Sequence, residues 1–303
     1  MNILFFASQK EREEDIANHF AAGIKVRGDH IRIFPTCDIE GIDPWADIAV
    51  SIGIKGWSRL LMETYMSAGK HFIVIDKGYV GGPSGPRSKY MRVSIDALQP
   101  HAYFQKEPRP DDRIRAFNVK LQPDRKGSNV LLAGGSLKYA LWHRFPSRDN
   151  LDPATAWASM VAGKLRRRTK KPIVYRPKPS WADAQPVSGT QFSRPPTTID
   201  DELRHAWCCV SYGSNAGVDA LIAGVPNFVL GDGIVRSLAL TDTGKIEDPY
   251  YPSEELRWNL LSCISYCQFS FTEFENGFAW DILRPQIEQM PEPTKPIFFG
   301  DEK

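Results

Sequence analysis

The chain has 303 residues, 42% hydrophobic and 24% charged, with a formal net charge of +2. That is the balance of a soluble globular protein long enough for two domains with cores of their own. No apolar run approaches the roughly 18 residues of a membrane-spanning helix, so a span is excluded.

The first half alternates strand and helix. MNILFFAS (1–8) reads as a strand rather than a signal peptide, because no basic leader precedes it and acids follow at once. EREEDIANHFAAGIKVRG (11–28) places Ile16, Phe20 and Ile24 on one helical face. HIRIFPT (30–36) and DIAVSIGI (47–54) read as strands, SRLLMETYMSAGK (58–70) as a helix ending at glycine, and HFIVIDKGY (71–79) as a fourth strand. This rhythm predicts a parallel sheet with helices on both faces. Residues 80–125 are rich in Gly, Pro, Arg and Lys and read as connections and a domain boundary. They hold one further candidate strand, YMRVSIDAL (90–98), and the polar stretch QKEPRPDDR (105–113), which precedes a candidate helix.

A second alternating block follows. SNVLLAGGS (128–136) is a strand with a glycine-rich turn, PATAWASMVAGKLRRRT (153–169) a helix, and KPIVYRPK (171–178) a strand. TIDDELRHAW (198–207) is a short helix opened by acids, and HAWCCVSYG (205–213) a buried strand. A helix then carries Val218, Leu221 and Ile222 at helical spacing before the strand NFVL (227–230). From Ser253 the tail reads as two amphipathic helices broken near residues 268–272. The expected division is 1–125, 126–252 and 253–303, with no internal repeat. Ligands in such sheets bind at the carboxyl ends of strands, so the loops after each strand carry the chemistry.

The five cysteines are Cys37, Cys208, Cys209, Cys263 and Cys267. They are odd in number and lack a second ligand pair, which favours core filling over metal or disulfide and fits a reducing, cytoplasmic setting. Charge is unevenly spread: residues 164–178, KLRRRTKKPIVYRPK, hold eight cations and no acid. A solvated helix end and attraction of phosphate, from a donor or a nucleic acid, both account for such a run. GPRSKYMR (85–92) is a second cationic stretch.

GSNAGVDALIAGVPNFVLGD resembles the signature of the C-terminal domain of GT-B glycosyltransferases, above all the capsule-polysaccharide Kdo transferase type and more distantly the enzyme that makes lipid II. The likeness is strongest over about the last 180 residues. It implies two Rossmann-like domains facing across a cleft, with the C-terminal helices crossing back to the first. Carried over, Asp219 accepts hydrogen bonds from the donor's ribose. Gly213, Ser214 and Asn215 face its phosphates, where a helix start offers free N–H groups. Gly134, Gly135 and Ser136 approach the diphosphate. Arg176 and Lys178, stiffened by Pro177 and Pro179, contact phosphate or serve only as surface charge.

The resemblance also implies a general base in the first domain. Asp76, at a strand end, is the leading candidate, ahead of Asp96 and His19. Lys55 and Lys77 are expected on the acceptor side. VIDKGY, YRPKPS, GSNAGVDAL and a Cys-Gln-x-Ser tail together look like small glycosyltransferase-like proteins of bacteriophages. On that reading the acceptor is a hydroxymethylated pyrimidine in double-stranded DNA, flipped out of the duplex. Arg87, Lys89 and Arg92 would contact phosphates rather than bases. A surface polysaccharide or lipid-linked glycan, a nucleotide-sugar epimerase and a non-catalytic nucleotide-sugar binder are the alternatives. No Asp-x-Asp occurs, and the resemblance implies transfer without a metal or any cofactor beyond the nucleotide-sugar donor.

Overall fold

A computed structural model of the protein describes residues 1–35, 46–99 and 108–293. Cys37 and residues 105–107 of the polar stretch lie outside them, as do residues 294–303 of the tail. The chain forms two units, Met1–Asn118 joined by the segment from Ser262, and Val119–Leu261.

The first unit opens with β1 (Asn2–Ala7), α1 (Glu11–Val26), β2 (His30–Pro35), β3 (Ile48–Ile52), α2 (Gly56–Ser67) and β4 (His71–Lys77), then β5 (Tyr90–Ile95) and α3 (Asp112–Ala116). β3 is buried along its whole length and β1 from its second residue, as strands covered on both faces must be. β2, β1, β3 and β4 pair in parallel. β5 departs from the all-parallel expectation and runs antiparallel to β4. The segment from β4 to β5 holds only a short 3-10 turn, and without a crossover helix the chain returns alongside in the opposite direction.

The second unit contains β6 (Asn129–Ala133), α4 (Leu137–Trp142), α5 (Pro153–Arg166), β7 (Ile173–Arg176) and β8 (Gln191–Phe192). It continues with α6 (Ile199–Leu203), β9 (Ala206–Ser211), α7 (Ala216–Ile222) and β10 (Asn227–Val229). Its sheet has the order β10-β9-β6-β7-β8, and every pair is parallel. Strand alternation sends Val130, Leu132, Cys208 and Val210 to one face, under Trp157 and Leu165 of α5. Leu131, Ala133 and Cys209 go to the other, with Leu203 of α6 and Ala220 of α7. The neighbouring cysteines thus face opposite layers, and all four described cysteines are free and buried.

α8 (Glu254–Ser265) leaves the second unit, and β11 (Gln268–Ser270), α9 (Phe271–Glu275) and α10 (Phe278–Gln289) belong to the first. β11 adds antiparallel to β5, giving the order β11-β5-β4-β3-β1-β2 among the described residues. The chain changes unit after Asn118 and Leu261, where the composition suggested 125 and 252. The stretch after Asn118 is claimed by the second unit through Gln122 N–H to Ile222 O at 2.8 Å and Arg125 N–H to Gly224 O at 2.8 Å. Arg257 on α8, itself buried, donates to Gln122 O and Leu221 O and thereby keeps the first turns of that helix with the second unit.

Candidate functional site

In the second unit three strands end side by side, and their loops hold the residues singled out from the sequence. β6 runs into Gly134, Gly135 and Ser136, and Ser136 caps α4 by accepting from Tyr139 N–H. Gly134 N–H donates to Arg176 O at 2.9 Å, tying this turn to the end of β7. A side chain on Gly134 would strike the Tyr175 ring at 2.7 Å, so glycine lets the turn lie flat on that ring. After β9, Gly213 passes so close to the neighbouring loop that a Cβ would sit 1.7 Å from Asp232 O and 2.8 Å from the Tyr139 hydroxyl. Ser214 Oγ then accepts from Ala216 N–H at 3.2 Å at the start of α7. Gly134, Gly135, Ser136, Gly213, Ser214 and Asn215 are therefore gathered along one edge of the sheet.

Arg176 and Lys178 part company. Arg176 is buried and donates to Ser193 Oγ and Thr197 O, both at 2.8 Å, so its guanidinium braces the β8 segment. Lys178 is exposed in the loop beyond β7. Asp219 sits half-buried on α7 and lines a cavity of about 320 Å³ with Asp200, Leu203 and Arg204 of the α6 region and Lys120 and Arg125 of the incoming segment. Two carboxylates among three cations, with Leu203, Ile222 and Ala223 as the apolar part of the lining, suit hydroxyl donors beside an anion. Sequence reasoning missed these cations because they lie far from Asp219 along the chain and carry no local motif.

It also missed an aromatic box beneath the edge. The His143 ring lies 4.5 Å from Tyr139, 4.9 Å from Tyr212 and 5.9 Å from Phe145, with Trp157 stacked beyond Phe145. Burial pushes the His143 pKa down to about 3, so the ring stays neutral at ordinary pH. His143 Nε2, the Tyr175 hydroxyl and Ser211 Oγ have no hydrogen-bond partner among the described residues.

In the first unit, Asp76 stands near the end of β4 opposite Arg92 of β5. Its Oδ2 accepts from Arg92 at 2.9 Å and its Oδ1 from Lys77 N–H at 2.7 Å, and about a third of the side chain stays exposed. Arg92 is buried, with its guanidinium over the Tyr79 ring at 5.2 Å. It therefore does not share the surface with Lys89, which is exposed, or with the partly exposed Arg87, both in a 3-10 turn. Strand register placed it against Asp76 instead. Lys77 is exposed. Lys55 meets Glu13, whose carboxylate also accepts from Ser8 N–H and Ser8 Oγ. Burial raises the Glu13 pKa, but these hydrogen bonds outweigh it and hold the carboxyl below its ordinary value.

Asp96 instead accepts from Phe72 N–H and meets His71 at a turn. His19 stacks on Phe271 at 5.1 Å on α1. The Cys-Gln-x-Ser tail has a clear task. Gln268 is fully buried, accepts from Tyr79 N–H at 2.7 Å and Val80 N–H at 3.1 Å, and donates to Val80 O at 3.0 Å. It clamps the loop that follows Asp76 and Lys77. Among the described residues, no group of three His, Cys, Asp or Glu could hold a metal ion, and no helix is long and apolar enough to cross a membrane.

Two α/β units, with the tail returned to the first, make up the GT-B fold. Particular solved structures share it along nearly their whole length. The beta Kdo 2,4 transferase of Thermosulfurimonas dismutans KpsC is 13% identical with a TM-score of 0.52, over 93% of this chain and 97% of that one. The beta Kdo 2,7 transferase of the same KpsC is 12% identical, also with a TM-score of 0.52, over 94% and 100%. No protein-family model matches the sequence, and no curated protein matches it.

Proposed function

We propose that the protein is a glycosyltransferase that moves a sugar from a nucleotide-sugar to an acceptor hydroxyl without a metal ion. The observation that carries this reading is Asp219, which opens into a cavity beside Lys120, Arg125 and Arg204 on the unit whose glycine-rich loops share one sheet edge. In this reading Asp219 accepts from the ribose hydroxyls, and the loop at residues 213–215 neutralises the diphosphate. The bond from the anomeric carbon to the departing phosphate oxygen breaks as the acceptor oxygen bonds to that carbon. The nucleotide leaves with the negative charge, and protein cations stabilise it where a metal otherwise would.

Asp76 takes the acceptor proton. Its two hydrogen bonds leave lone pairs open on both oxygens, and Arg92 fixes its direction. Arg92 is then a positioning residue. Lys55, Lys77, Arg87 and Lys89 are the acceptor-side cations.

For the acceptor we propose a hydroxymethylated pyrimidine in DNA. A glycan acceptor is the second reading, favoured by the fold shared with the two Kdo transferases. The test is incubation with labelled nucleotide-sugars and either hydroxymethylated duplex or oligosaccharide, followed by mass measurement of the product. A glycosylated duplex supports the first reading, and a lengthened oligosaccharide the second. Donor binding without turnover on either would leave a nucleotide-sugar binding protein and overturn transfer.

A further inference from the structure

The cationic run 164–178 is only partly absorbed by the donor edge. The strands of the second unit are parallel, so their amino ends share the opposite edge of the sheet, roughly 15 Å away for a five-residue strand. Three separate segments enter there. Val130 N–H donates to Pro172 O at 2.8 Å, and Ser128 N–H donates to His205 O at 2.9 Å. These bonds bring the leads into β6, β7 and β9 within about 10 Å of one another. Cations stand in these leads: Lys126 before β6, and Lys170 and Lys171 before β7, while Arg204 before β9 follows Asp200, Asp201 and Glu202. The end of α5 and the residues just after it add Lys164, Arg167 and Arg168 before β7.

Acids answer only some of these charges. Glu247 accepts from Thr169 and pairs with Lys171, and Asp201 pairs with Arg204. Lys126, Lys164, Arg167, Arg168 and Lys170 are exposed and form no ion pair with a described residue. The helix dipole of α5 favours a cation or two in its last turn. It gives no reason for Lys126, which arrives from another segment.

We propose that this amino edge is a docking surface for duplex DNA, held through its phosphates without reading sequence. Unpaired cations on convergent segments suit a dense row of phosphates. None of the described exposed large apolar side chains belongs to these segments, so the edge has neither an anchor for a membrane nor a free ring on which to stack unpaired bases. Trp207 is only half-exposed, with Lys171 over its face at 4.3 Å. The surface leaves the loops at residues 134–136 and 213–215, on the other edge, free. It does not depend on the transferase reading, and its test needs no turnover.

The test follows anisotropy of a labelled random duplex of about 30 base pairs, titrated between about 50 and 300 mM salt. Wild type is compared with the fivefold variant Lys126→Gln, Lys164→Gln, Arg167→Gln, Arg168→Gln, Lys170→Gln. Loss of each phosphate contact flattens the slope of log affinity against log salt by about 0.9, so the full set flattens it by as much as about 4.5. Thermal unfolding of the variant should match wild type, since the removed charges have no partners. Lys178→Gln should leave the slope in place. Equal slopes for wild type and the fivefold variant, or no duplex binding at the lowest salt, would each overturn the proposal. So would binding to phosphatidylserine vesicles in place of duplex.

Discussion

Replacing Gln268 tests how the first unit holds the loop after Asp76. Gln268→Ala removes three hydrogen bonds in a fully buried position and leaves Tyr79 N–H, Val80 N–H and Val80 O facing a void. A buried polar group stripped of its partner costs about 1–3 kcal/mol, and partial relaxation brings the expected total to about 3–5 kcal/mol. Gln268→Met fills most of the same volume without the polar atoms. If hydrogen bonding carries the cost, Met should destabilise nearly as much as Ala. If packing carries it, Met should lie close to wild type. Denaturant unfolding gives the energy, and hydrogen exchange at the amides of Tyr79 and Val80 locates it. Those amides should exchange faster, while β9 amides in the other unit keep their protection. In an active preparation turnover should fall as well, because Asp76 and Lys77 precede the loosened turn directly. Both variants within about 0.5 kcal/mol of wild type, a surface-like effect, would refute the clamp.

Asp219→Ala should weaken nucleotide-sugar binding by about 1–3 kcal/mol with the fold intact, as calorimetry and circular dichroism would show; unchanged donor affinity removes Asp219 from the site. His143 has a folded pKa of about 3 against an ordinary value of 6.5, so the unfolded chain binds the extra proton and stability falls as pH drops from 6.5 towards 3. In His143→Phe that contribution to the pH dependence should vanish, and an unchanged stability profile across this window would show that the imidazole is not buried neutral. Burial pushes the Cys209 thiol up to about 12 and raises Cys208 as well. Both should resist a thiol reagent in native protein and react on unfolding, and rapid labelling under native conditions would contradict their burial. Arg92→Gln should lower kcat more than it raises KM for acceptor if Arg92 orients Asp76, and equal effects on both would make it merely structural.

Much of this molecule is determined by short-range pattern. HAWCCVSYG had to be a strand buried on both sides, and period-two geometry alone then sends Cys208 and Cys209 to opposite layers. The order of strand, small-residue loop and helix put Gly134, Ser136, Gly213 and Ser214 at one sheet edge, because parallel strands all end on the same side. Tertiary structure decided what depends on partners distant in the chain. The antiparallel course of β5 and β11 follows from the path of their connections, which composition does not encode. Arg92 looked like a surface cation in a basic run, yet its register across β4 turned it inward onto Asp76. Gln268 reaches Tyr79 from 189 positions away, and Lys120, Arg125 and Arg204 line one cavity with Asp219 only because two helices and an incoming segment come together there. Propensity and periodicity act within a few residues, whereas a charge takes its meaning from the group that packing sets beside it.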